Sequence, residues 1–216
     1  MDENKVSAEE LKEETKQTFN KVKDEIKDAN FKEETIEATN FVKDMFMDPV
    51  GAVKNVSNEV GPKLITVIML VIGVMLSNLL KNIMWAFGNS NIFDSLWEII
   101  TSLTSGVCII LVPAFIAYVF NRNSDRSLLT SISLMAMANV PTIFVNVLTA
   151  LTRILPKLAG IVGVLNQGLE VAHVVLTYFA LKTFCKEEDD LFIFKFVIIE
   201  VASGFIMMLL RLLNVC

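Results

Sequence analysis

The chain has 216 residues, a net charge of −5 and an apolar share of 53%. The charge is confined: residues 1–63 hold 10 Lys/Arg against 15 Asp/Glu, whereas residues 64–216 hold nine of each. An acidic arm on a neutral, apolar body argues against nucleic-acid binding through a basic patch and against strong attraction to anionic lipid. Three cysteines without a CxxC pair argue against a disulfide framework or a zinc site.

The first residues, MDENKVSAEELKEE, are acidic and polar, so no secretory signal is expected and the first apolar stretch would insert uncleaved. Ser7 and Glu10 have capping-box spacing, which predicts a helix start. Leu11, Phe19, Val22, Ile26 and Ala29 then keep one narrow face apolar. Phenylalanines recur at Phe19, Phe31 and Phe41. Residues 1–62 are therefore expected to form a charged, amphipathic helical arm. The stripe along residues 7–46 is expected to lie against the protein's own membrane domain, meet a second copy, fray in part, or bind a protein partner or the lipid surface. Pro49, Gly51, Gly61 and Pro62 predict breaks before the membrane.

Residues 63–216 contain apolar stretches at 64–87, 92–120, 128–151, 158–181 and 191–213. A bilayer core roughly 30 Å thick needs about 20 helical residues to cross it, and lipid offers no partners to an unpaired backbone. The fold class expected is all-α: a polytopic membrane protein with a five-helix transmembrane bundle. Short connections predict that sequential helices are antiparallel neighbours. Lys54, Lys63, Arg122, Arg126, Lys182 and Lys186 fall on one side, and Lys81, Arg153, Lys157 and Arg211 on the other. That bias, with the long charged arm, predicts a cytoplasmic N-terminus and an outside C-terminus.

Ionisable groups in the middle of a span normally face other protein. Glu170 and His173 are three residues apart on one helical face, and Glu200 falls at a depth matching His173 on the next helix. This intramembrane polar cluster acts either as a structural clasp or as a proton relay or cation site, and a single histidine argues against metal. Asn139 and Asn146 share a face with Pro141 between them, which predicts polar gluing of helices. Gly160, Gly163, Gly168 and Ala172 predict close packing of the fourth helix. No GxSxG, P-loop, HExxH or CxxC occurs, so neither an enzyme nor a cofactor is expected.

Asp48-Pro49-Val50-Gly51-Ala52 looks like the short Pro-containing segment that precedes the first span of Yip-domain (Ypt-interacting protein) proteins, and Pro49 and Ala52 have its P-x-x-A spacing. The run from Ser127 through Asn139 to Pro141, with small residues leading to a proline, is similar to that family's third helix. From Asp48 onward the chain thus resembles a bacterial-type Yip protein. The resemblance implies an integral membrane protein with a scaffold role in membrane organisation or trafficking. The competing expectation is a small proton- or cation-linked transporter or channel using Glu170, His173 and Glu200. Partners expected are the lipid bilayer, a protein at residues 7–46, and a second copy, in the plasma membrane if bacterial.

Overall fold

In the computed structural model, residues 16, 20, 31–55, 64–86, 92–121, 127–185, 189–213 and 215 are described, and among them every regular element is helical. Ser7, Glu10 and the stripe from Leu11 to Ala29 lie outside the described residues, as do Gly61 and Pro62. The arm is described from α1 (Phe31–Met47) and α2 (Pro49–Asn55) onward. α3 (Leu64–Ala86) and α4 (Ile92–Phe120) follow. The third apolar stretch forms two helices, α5 (Leu128–Ala138) and α6 (Val140–Ile154). A 3-10 turn (Pro156–Leu158) leads into α7 (Ala159–Cys185), and α8 (Asp189–Leu212) completes the bundle. Five spans are long and apolar enough to cross a membrane: Thr66–Met84, Leu96–Phe120, Leu128–Ile154, Pro156–Cys185 and Phe192–Leu212.

Pro49 does not end helical structure; it begins α2. The Asp48 carboxylate accepts the Gly51 N–H at 2.9 Å, and Pro at the first helical position has no N–H to leave unsatisfied. The Asp-Pro-x-Gly segment is thus a helix start. It folds α2 back so that Ala52 and Val53 are buried, with Met45 of α1, in the same core as the spans. α1 packs on α3 and α2 packs on α7, where the Lys54 ammonium stands 5.2 Å from the centre of the Phe179 ring.

The third span is the axis of the bundle: 56% of its apolar window is buried, against 6–28% in the other four. It is also broken, at Asn139. Pro141 cannot donate to the carbonyl four residues back, and the Asn139 side chain competes for the Met135 carbonyl at 2.9 Å. Pro113, without such a competitor before it, stays inside α4.

Around this axis α3 lies against α4 and α6, α7 lies against α5 and α6, and α8 lies mainly against α4. Sequential spans are therefore neighbours up to the fourth, but the fifth takes the second as its principal partner. α7 and α8 meet at one end only, through Tyr178 against Phe192 and Phe196 with ring centroids 5.1 and 5.5 Å apart. The expected close packing at Gly160, Gly163 and Gly168 does not occur within one chain, since a Cβ at any of them would meet nothing within 4 Å. Gly106 carries the close approach instead: a Cβ there would stand 2.8 Å from the Met75 Cα, so α3 and α4 can touch backbone to backbone.

Candidate functional site

His173 is oriented by the break in the third span. In a continuous helix the Thr142 N–H would bond the Ala138 carbonyl; here it bonds Asn139 at 3.0 Å. The Ala138 carbonyl is left inside the bundle, and His173 Nδ1 donates to it at 2.8 Å. A carbonyl only accepts, so this contact assigns the proton to Nδ1. The imidazole thus closes the backbone gap that Pro141 and Asn139 open, tying α7 to α5.

The two carboxylates are arranged differently. Glu170 and Glu200 are exposed on the outer surface of α7 and α8, and among the described residues no hydrogen bond or ion pair joins them to His173. Glu200 does stand within electrostatic reach of the imidazole. Among the described residues the three groups therefore do not form a closed hydrogen-bonded cluster.

Asn146 spans helices as its position suggests: its amide donates to Ser77 Oγ on α3 at 3.2 Å, and Ser77 donates to the Val74 carbonyl at 2.9 Å. Asn139 instead caps its own helix. Ser131 donates to the Ala114 carbonyl at 2.8 Å, joining α5 to α4, and Asn166 donates to Thr149 at 3.1 Å, joining α7 to α6.

A polar cavity of about 300 Å³ lies between α3, α4 and α6, at the end of the bundle away from α1 and α2. Each helix contributes one polar face: Asn78, Lys81 and Asn82 from α3, Thr101, Ser102 and Ser105 from α4, Thr142 and Asn146 from α6. Arg211, at the end of α8, adds a second cation. The walls hold one another. Asn78 donates to the Ser102 carbonyl at 2.7 Å, Asn82 donates to Ser102 Oγ at 2.6 Å, and Ser102 Oγ donates back to the Glu98 carbonyl. Glu98 itself does not line the cavity, and its buried Oε2 has no partner among the described residues. Asn78 stands eight residues from Ala86, Ser102 ten from Ile92 and Asn146 eight from Ile154. At about 1.5 Å per residue the cavity extends roughly 12–15 Å inward from the helix ends. A signal for it exists in the sequence, since 78/81/82, 101/105 and 142/146 each have helical same-face spacing.

A second cavity, of about 450 Å³, is lined among the described residues by apolar side chains such as Leu111, Phe115, Ile132 and Ile206, and offers space for hydrocarbon rather than chemistry.

These features define an all-α integral membrane protein with five spans. Comparison with protein-family models, curated proteins and solved structures finds no match to the chain.

Proposed function

We propose that this protein is a non-enzymatic membrane scaffold of the Yip type, with a role in membrane organisation. The observation that carries this reading is the use of His173. Its Nδ1 is committed to the Ala138 carbonyl, where it holds a broken helix together instead of standing free to relay protons. Asn146, Ser131 and Asn166 are likewise engaged in helix–helix hydrogen bonds. In this reading the N-terminus is cytoplasmic and the C-terminus lies on the opposite side. The arm presents its undocked face, which includes the exposed Ile36, Lys43 and Asp44, to a protein partner or a second copy.

The second reading is a proton- or cation-linked transporter, favoured by the electrostatic reach between Glu200 and His173. Reconstitution into liposomes separates the two. The scaffold reading expects no flux on imposing a proton gradient, together with site-specific photocrosslinks from positions 36 and 43 to one protein or to a second copy. Gradient-driven flux abolished by Glu200→Gln would replace it with transport.

A further inference from the structure

We infer that the polar cavity between α3, α4 and α6 is a binding site for a phosphate-class oxyanion, held by Lys81 and Arg211. The inference is independent of the scaffold reading. It rests first on charge. Among the described residues the lining includes two cations, Lys81 and Arg211, and no carboxylate. Among the described residues neither is joined to an acid. Lys81 is half-buried and Arg211 exposed at the same end of the bundle, and two like charges lining one cavity repel each other, so the cavity favours an anion.

The donor inventory points the same way. Lys offers three N–H groups and Arg five, and neither accepts. Part of the polar wall is engaged with itself: the Ser102 carbonyl takes Asn78, its Oγ takes Asn82, and the Glu98 carbonyl takes Ser102. Lys81 and Arg211 are thus the donor-only groups of a lining whose Asn, Ser and Thr side chains also carry acceptor oxygens. A guanidinium fork beside a compact ammonium matches a tetrahedral oxyanion with several oxygens better than a single carboxylate.

Depth narrows the class further. Lys81 is three residues from Met84, the end of the first span, and Arg211 is one from Leu212, the end of the fifth. At about 1.5 Å per residue both fall within roughly 5 Å of the ends of their apolar windows, the level at which lipid phosphates sit. Basic pockets between transmembrane helices are suited to phospholipid headgroups for this reason. The same oxygens could come from a phospholipid in the bilayer or from free phosphate in water.

The test uses the full chain in phosphatidylcholine nanodiscs, with two arms. One adds phosphatidylglycerol and reads retained lipid by native mass spectrometry; the other adds inorganic phosphate and reads binding by ³¹P NMR. Wild type is expected to bind in at least one arm, which identifies the source. Lys81→Gln/Arg211→Gln is expected to lower that binding by about tenfold or more, because both cations that line the cavity are removed. Glu98→Gln is expected to leave it intact. Equal binding by wild type and the Gln pair, or no binding in either arm, overturns the proposal. Binding that appears only in Glu98→Gln also overturns it, because Lys81 then belongs to Glu98. If the Gln pair does not fold, displacement from wild type decides: unlabelled phosphate should release bound phosphatidylglycerol, or bound ³²P-phosphate, more strongly than chloride at matched ionic strength. Equal displacement by chloride overturns it.

Discussion

Replacing His173 with Phe removes the donor that faces the Ala138 carbonyl and leaves that carbonyl unpaired in the bundle interior. The expected cost is about 1–3 kcal/mol, the usual penalty for stranding a buried polar group. His173→Gln, which keeps a donor, should recover part of it. Unfolding in mixed micelles measures both, and a His173→Phe protein as stable as wild type would remove the clasp role. Gly106 supports a second prediction at this scale. With the Met75 Cα 2.8 Å from the site of its Cβ, Gly106→Ala must push α3 from α4 and should cost roughly 1–3 kcal/mol. Gly160→Ala and Gly163→Ala, which meet nothing, should change monomer stability by less than about 0.5 kcal/mol. A larger loss at those positions on dilution would locate a contact between copies, the one use of these glycines a single chain does not show.

At the scale of elements the broken third span and α7 form one unit. Pro141 and Asn139 interrupt the helix, the interruption frees a carbonyl, and α7 supplies the imidazole that binds it. Pro141→Ala should let the Thr142 N–H return to Ala138 and make His173 redundant. Substituting His173 should therefore cost less in the Pro141→Ala background than in wild type, by about 0.5–3 kcal/mol of coupling in a double-mutant cycle. Additive effects would mean that the break and the imidazole are unrelated. The start of α2 is a smaller unit of the same kind. Its N-terminal amides depend on the Asp48 carboxylate, so Asp48→Ala should cost about 1 kcal/mol and raise amide exchange at Gly51.

Across the whole molecule, the division between polar arm and apolar body is a division of solvent rather than of packing. Met45, Ala52 and Val53 lie in one core with residues from the spans, and Val53 is completely buried. A charge at that position has no partner. Val53→Asp is expected to undock α1 and α2 and expose them to protease while the five spans stay inserted. An unchanged cleavage pattern would show that the docking adds little. The contrast between the two ends of the bundle has a similar origin. At one end aromatic rings and the docked arm close the helices together; at the other, three polar faces and two cations leave a cavity.

The spans were legible in the sequence because crossing a bilayer is a local demand. About 20 apolar residues in a row satisfy it wherever they sit, and the ranges agree with the helices to within a few residues except near the fourth span's C-terminus and at Asn139. That Asn146 would join helices was legible too, since a polar amide in an apolar span needs a partner; which hydroxyl it would find was not. His173 is the clearest limit. Its position at mid-span and its need for a partner follow from the residues alone, and carboxylates at matching depth were the available candidates. The partner it has is a backbone carbonyl 35 positions away, exposed by a proline in another helix. Lys81 and Arg211 were visible only as charges near span ends. Their convergence with the faces of Asn78, Ser102 and Asn146 depends on α8 lying against α4 rather than along α7. The sequence by itself determined how many helices cross and where their polar residues fall along each helix, because hydropathy and helical period are local. Which polar groups meet was decided only by the tertiary structure, because that depends on helix order, on the close approach at Gly106 and on one broken span.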